Sequence, residues 1–404
     1  MMGGDEAPGM DISAIRDPLG GANQSGMRDH NERLVLSLIL RHGALPSAEI
    51  ARRANLSAQT VSIIIRALER DGLLLRGEPQ RGKVGKPSIP MMLNPDGILS
   101  YGLNIGRKSV DLVLIDATGR LRAQRKRTYP YPTPDTVTGF LAEAFAALSW
   151  GLSARQRDRV AGIGVAAPSE LWNWLDKVNA PGDEMQAWRD FDIAASVAGI
   201  TGLPVVVQND ATAACTAEHV FGRGREFSDY GYFFIGSFIG GGVVLNDTVY
   251  SGRTGNAAAF GSIPVASAEG ATQLIQHASI YLLERALEAD GRDAAALWDP
   301  ANDWSDFGAP LDAWIDHTAR HLAIAVVAVV SVIDFEGILI DANCPPGVKA
   351  RIIERTQAAI DRMDTQGIER PVLTEASVGR NARAIGAASL RIIERYLLSH
   401  PRFG

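Results

Sequence analysis

Apolar positions in the N-terminal part of the chain recur three and four residues apart, the spacing of amphipathic helices. The run NERLVLSLILR, from Asn31 to Arg41, sets Leu34 and Leu38 on one face and stops at His42-Gly43. Leu45-Pro46-Ser47 offers an N-cap with Glu49 in the first turn, and Ala48 to Ala54 makes a second, short helix. After the turn Asn55-Leu56, Ser57 caps a third helix, SAQTVSIIIRALERDG, in which Val61, Ile64, Ile65 and Leu68 form a buried stripe. Leu73-Leu74-Leu75 starts a strand, and the glycine-rich loop RGEPQRGKVGKP returns to the apolar SIPMML. Helix, helix, short turn, helix and β-hairpin is the order of a winged helix-turn-helix, here over 28–98. The stretch 1–27 is rich in Gly, Asp and Met, lacks the pattern of a signal peptide, and is expected to be a disordered leader.

From residue 99 the pattern changes. Leu99 to Leu121 reads as strand, glycine turn, alternating strand and second turn, an antiparallel hairpin. Thr136 to Gly151 is an amphipathic helix and Val160 to Val165 a buried strand. Val205-Val206-Val207 is another strand, running into Asn209-Asp210 and a small-residue helix, Ala211 to His219. The next apolar strand breaks at Gly236-Ser237 and at Gly240-Gly241-Gly242 and resumes as Val243-Val244-Leu245; these glycines are read as turns that keep the fold. An apolar helix from Trp314 to Val332 and a strand from Gly337 to Ile340 follow. Alternating strands and helices predict an α/β body with helices packed on a sheet. No internal repeat of fixed period is visible.

Composition narrows the class. With 46% hydrophobic and 21% charged residues the chain can bury a sizeable core. No apolar run approaches the ~20 residues of a membrane span. Only Cys215 and Cys344 occur, far apart in apolar surroundings, which points to a reducing compartment, the cytoplasm, and away from a disulfide framework or a cysteine-based metal site. The net charge of −6 hides an asymmetry: residues 28–90 hold eleven Lys/Arg against six Asp/Glu, a net +5, which leaves about −11 for the rest. A basic module on an acidic body suggests that the first module alone meets nucleic acid. Ala58, Gln59, Ser62 and Ile63 would face a major groove, with Gln59 able to pair with an adenine edge and Ile63 able to touch a thymine methyl. Ser57, Thr60 and Arg66 can hold phosphates, and the wing cations Arg81, Lys83 and Lys86 can reach a minor groove or its phosphates.

The third helix with its GKP wing end (Gly85-Lys86-Pro87), the Asn209-Asp210 turn and the glycine triplet together resemble the ROK family of repressors, open reading frames and sugar kinases. The likeness is to its sugar-responsive repressors, of the xylose and N-acetylglucosamine type, and covers the module and essentially all of the body. It implies an actin-like, ribonuclease-H-like ATPase-superfamily body of two lobes. Lobe I would be about 99–207 plus a C-terminal helix at about 383–404, and lobe II about 208–382. It also implies that Asn209 and Asp210 bind sugar hydroxyls, Asp210 standing where the kinases have their catalytic base.

Several family positions are altered. The Asp of the first phosphate loop is Asn104, followed by Arg107-Lys108 where small residues are usual. The sugar-binding Glu and the His serving sugar and zinc are Ala259 and Ser262, and the three-cysteine zinc loop is absent. A later sugar-binding Glu falls near Ile275, between Gln273 and Gln276, and Ile338 to Asn343 replaces a strand with a Gly-Gly turn that meets nucleotide. His277 is read as a half-buried helix residue. No catalytic residue, cofactor or metal is therefore expected. The chain reads as a DNA-binding transcriptional regulator, most simply a repressor of carbohydrate-related genes. It would bind a double-stranded operator as a homodimer or homotetramer, away from any membrane, with Asn209 and Asp210 as effector contacts. The alternatives are an ATP-dependent sugar kinase and a regulator whose body only assembles.

Overall fold

A computed structural model describes residues 24–79, 89–168, 171, 182–267, 270–299 and 301–398. The N-terminal module contains α1 (Gln24–His42), β1 (Leu45–Pro46), α2 (Ser47–Ala54), α3 (Ala58–Arg70), β2 (Leu74–Arg76) and β3 (Pro90–Leu93). Helix α1 begins inside the stretch expected to be a leader. It is also buried all round from Val35 to Ile39 rather than on one face, because it is wedged between α2 and α3 and the body. Leu45-Pro46 is not a cap with Ser47. It is a two-residue strand in a sheet of order β1-β3-β2, and Ser47 is the first residue of α2. A strand this short carries no periodicity to read.

The body holds two five-stranded sheets of the same design. In lobe I, β4 (Leu99–Ile105), β5 (Ser109–Asp116) and β6 (Leu121–Thr128) run antiparallel, and β7 (Val160–Ala167) and β8 (Val205–Asn209) add in parallel, giving the order β6-β5-β4-β7-β8. Helix α4 (Pro134–Trp150), capped by Thr133, and helix α5 (Ile193–Thr201) make the crossovers. In lobe II, β9 (Tyr230–Ile235), β10 (Ile239–Leu245) and β11 (Thr248–Val249) are followed by β14 (Gly337–Ala342) and β15 (Val372–Glu375), in the order β11-β10-β9-β14-β15. Between them lie the hairpin β12 (Pro264–Ser267) with β13 (Gly270–Gln273), and α7 (Ile280–Ala289), α8 (Gly308–Val332) and α9 (Pro346–Ile360). Three antiparallel strands then two parallel ones occur in both lobes, a duplication of topology without a sequence repeat. Strand β6 (LRAQRKRT) escapes pattern reading because it is an exposed, basic sheet edge.

Helices α6 (Asp210–Phe221) and α10 (Ala382–Tyr396) pack against each other between the sheets. The triplet Gly240-Gly241-Gly242 is not a turn. It lies in the middle of β10, paired with Phe234, Phe233 and Tyr232. A Cβ on Gly242 would stand 2.3 Å from Cys215 Cβ of α6, and one on Gly241 2.3 Å from the Phe260 ring, so glycine lets both pack flush on the strand. Helix α8 is long and apolar enough to cross a bilayer by length and composition. Its Trp314, Ile315, Leu322, Ala323 and Val326 are instead buried in the lobe II core.

Candidate functional site

The third helix forms as its spacing demands. Val61, Ile64, Ile65 and Leu68 are buried, while Gln59, Ser62, Ile63 and Arg66 share the exposed face at positions i, i+3, i+4 and i+7. Ile63 is 53% exposed, an apolar side chain on the same face as Gln59, Ser62 and Arg66. Ser57 Oγ accepts from Thr60 N at 3.1 Å and lies 2.8 Å from Thr60 Oγ1, so this pair completes the cap and leaves Thr60 half-buried. Arg66 Nε donates to the Ser62 carbonyl at 3.1 Å. The wing cations Arg81, Lys83 and Lys86 lie outside the described residues.

The module is joined to the body through α1. Arg41 pairs with Asp247 at 2.8 Å, the Ser37 hydroxyl accepts from Leu398 N at 3.0 Å, and Arg33 donates to the carbonyls of Glu394 and Arg395. A cavity of about 480 Å³ lies along this seam, between Leu40 and Arg41 of α1, Thr216 and His219 of α6, and Leu390 and Leu397. His219 Nε2 lies 3.0 Å from the Asp247 carbonyl oxygen, on the residue that holds Arg41.

Burial, opposed in part by Asp247, drives the His219 pKa down to about 4, against about 6.5 in an unfolded chain. Between those values the unfolded state takes up a proton that the folded state refuses. Stability is therefore full above about pH 6.5 and falls as the pH drops, by about 3 kcal/mol at pH 4 from this group. His219→Gln is expected to remove that share, and parallel acid titrations of thermal stability would check it; identical acid limbs would refute the assignment.

The family positions converge in the cleft. Asn209, Asp210, Ala259, Ser262 and Ile275 line one cavity of about 190 Å³, together with Arg107 and Arg383. The helix cap is Asn209 rather than Asp210: its Oδ1 accepts from Ala211 N at 3.0 Å and Thr212 N at 3.2 Å. The other residue of the pair, Asp210, accepts from Ala211 N with one oxygen and meets Arg383 at 3.3 Å with the other. Arg383, from α10, also lies over the Phe234 ring at 5.1 Å.

On the facing side, the first loop is closed by charge. Arg107 pairs with Glu284 of α7 at 2.5 Å, both nearly buried, and Lys108 reaches the same carboxylate at 3.4 Å. Asn104 is buried beneath, its Oδ1 without a hydrogen-bond partner among the described residues. Arg107, Lys108 and Asn104 were singled out by sequence; Glu284 and Arg383 were not, since neither carries a local motif. His277 does not lie in a helix. It closes the short turn Leu274–Gln276 and stands beside His317 and His321 of α8.

Comparison with known proteins bears on the family and the fold. The profile of the ROK family matches residues 100–393, and that of a winged helix-turn-helix DNA-binding domain matches 28–74. The xylose repressor of Bacillus subtilis (strain 168) is 22% identical over 244 residues, which is 60% of this chain and 62% of that protein. The DNA-binding transcriptional dual regulator NagC of Escherichia coli (strain K12) is 24% identical over 251 residues, 61% of each chain. The alignment thus spans less than two thirds of either relative. A crystal structure of a ROK family transcriptional regulator, a homolog of the Escherichia coli MLC protein, covers 92% of this chain and 97% of its own with a TM-score of 0.65. At 20% identity that is a likeness of fold. Because the ROK profile runs through most of the two-lobed body and the helix-turn-helix profile through the module docked on it, the chain belongs to the ROK family.

Proposed function

We propose that the protein is a sequence-specific DNA-binding transcriptional regulator, a repressor of carbohydrate-related genes acting in the cytoplasm. Its ROK body would sense a sugar-type effector without phosphorylating it. The observation that carries this reading is the exposed face of α3, on a module whose α1 contacts the body through Arg33, Ser37 and Arg41. Gln59, Ser62 and Ile63 would read base edges, while Ser57, Thr60, Arg66 and the wing cations Arg81, Lys83 and Lys86 would hold phosphates. Two such modules, one per subunit of a homodimer or within a homotetramer, would engage half-sites about 34 Å apart.

The effector would sit in the cleft at Asn209 and Asp210. Helix α6 starts at that pair and, about 18 Å on, ends at the seam where His219, Asp247 and Arg41 meet. A ligand that alters the Asp210–Arg383 pair would tilt α6 or α10 and so move α1. It can shift the lobes only by its differential affinity for the two arrangements. Against kinase chemistry stand Asn104 in place of a magnesium-orienting carboxylate, the ion pair closing the first loop, and an Asp210 already engaged by a cation.

Selection of bound genomic fragments, repeated with a panel of sugars, sugar acids and sugar phosphates, tests the proposal. Specific binding released by one compound is expected; absence of any sequence preference would overturn it. Sugar-dependent release of ADP from ATP and magnesium would establish the kinase alternative. A body that only assembles would bind DNA yet give no thermal shift with any compound, a reading the small cavity and engaged Asp210 favour as the second choice.

For the interface, Gln59→Ala is expected to cost about 1–3 kcal/mol at particular base pairs and relax preference there. Lys83→Ala with Lys86→Ala should weaken binding to all sequences alike and lower the salt slope by about two. An unchanged base profile in the first variant, or an unchanged slope in the second, removes those residues from the interface.

A further inference from the structure

His317 and His321 stand four residues apart on one face of α8, the spacing at which two imidazoles can share an ion. His277 arrives from the other side, on the turn that follows the β12–β13 hairpin. One ring nitrogen from each of the three lies within 4.8 Å of the others. The His277 and His321 rings stack at 4.0 Å, and His317 lies 4.3 Å from His321 and 5.1 Å from His277 between centroids. We propose that His277, His317 and His321 form a three-imidazole site for a divalent transition-metal ion.

The hydrogen bonds around the cluster orient it for that task. His321 Nδ1 lies 2.8 Å from the His317 carbonyl oxygen, to which it donates, leaving its Nε2 for a ligand. His277 Nε2 lies 2.6 Å from Thr272 Oγ1, leaving Nδ1 directed at His317 Nε2, 3.0 Å away. Two nitrogens on one tetrahedral zinc ion stand about 3.3 Å apart, given zinc–nitrogen bonds of ~2.0–2.1 Å. The observed spacing is that edge within a few tenths of an ångström. Bonding a ligand imidazole's second nitrogen to a hydroxyl or carbonyl is the usual way its tautomer and ring plane are held. Thr318 Oγ1 also bonds the His277 carbonyl at 3.4 Å, tying the turn to α8.

The electrostatics fit the same reading. Burial first, then the neighbouring histidines, hold His277 and His317 below the ordinary histidine range, His317 at about 4. A donor set of neutral nitrogens suits zinc, cobalt, nickel or copper and is poor for magnesium or calcium, which take oxygen. All three rings are half-buried, so an ion can enter from solvent and keep a fourth position for water. These residues are not those of the family's zinc loop, whose histidine position is Ser262 and whose cysteines this chain lacks. An ion here would clamp the hairpin to α8 and stiffen the turn whose Ile275 walls the effector cavity.

The test uses tag-free, metal-stripped full-length protein. Cobalt(II) should bind stoichiometrically with visible bands of tetrahedral intensity, zinc should displace it, and zinc but not magnesium should raise the melting temperature. His317→Gln and His321→Gln should each erase the cobalt bands and weaken zinc binding by about 100-fold or more. Thr272→Ala, acting through His277, should weaken it by about 10- to 100-fold. Absence of saturable cobalt binding in the unaltered protein overturns the proposal without recourse to any variant. So does zinc affinity that survives unchanged in both histidine variants.

Discussion

Glu284→Ala is expected to destabilise the protein by about 3–5 kcal/mol, the range for removing one partner of a buried ion pair. Arg107 and Glu284 are only 7% and 9% exposed, so the variant would take a paired carboxylate away from a buried cation. Lys108, 27% exposed and 3.4 Å from the same carboxylate, would lose its partner too, though water can screen it. The paired change Arg107→Met with Glu284→Leu should recover most of the loss, because apolar packing of similar volume avoids desolvating two charges. Equilibrium denaturation of the three variants would measure this. A loss below about 1 kcal/mol for Glu284→Ala would mean that the pair behaves as a solvent-screened surface bridge rather than a buried one. The pair joins the β4–β5 turn of lobe I to α7 of lobe II.

A still larger effect is expected at Gly164. A Cβ there would stand 1.8 Å from the carbonyl oxygen of Ala387, and one at Gly102 2.0 Å from that of Ala384. Both neighbours are backbone atoms of α10, so no side-chain rotation relieves the clash. The helix would have to lift from β4 and β7, carrying Arg383 away from Asp210 and the Leu398 amide away from Ser37. Gly164→Ala should therefore cost more than about 4 kcal/mol and abolish folding or DNA binding. Gly139→Ala is the control: its Cβ would meet nothing within 4 Å in α4. That change should stabilise by about 0.5–1 kcal/mol through helix propensity. Comparable melting temperatures for the two variants would show that α10 is not seated as closely as described.

The cleft brings Asn209 and Asp210 together with the altered positions Ala259, Ser262 and Ile275. Asn209 and Asp210 remain in place, yet one caps α6 and the other faces Arg383. Helix α6 runs from that cavity to the seam where His219, Asp247 and Arg41 of α1 meet.

Much of this was legible in the residues alone. Helix α3 declares itself because its stripe, its Ser57 cap and its exposed face depend only on residues of one short segment, 57–70. The two-lobed body was implied by the family resemblance that the Asn209-Asp210 turn and the glycine triplet help to carry, although the triplet proved to be strand rather than turn. The basic edge strand β6 and the two-residue β1 were missed, one because charge masks alternation and the other because it has no length.

What only tertiary structure decided are contacts between residues far apart in the chain. Arg107 meets Glu284 across 177 positions, Arg383 meets Asp210 across 173, and His277 meets His317 across 40. The matching sheets of the two lobes belong here as well, since topology can repeat where side chains do not. Local spacing determines which face of an element is apolar, because the helical and strand periods are properties of the backbone. Which charge or imidazole comes to stand opposite another depends on how the elements stack, and no period along the chain encodes that.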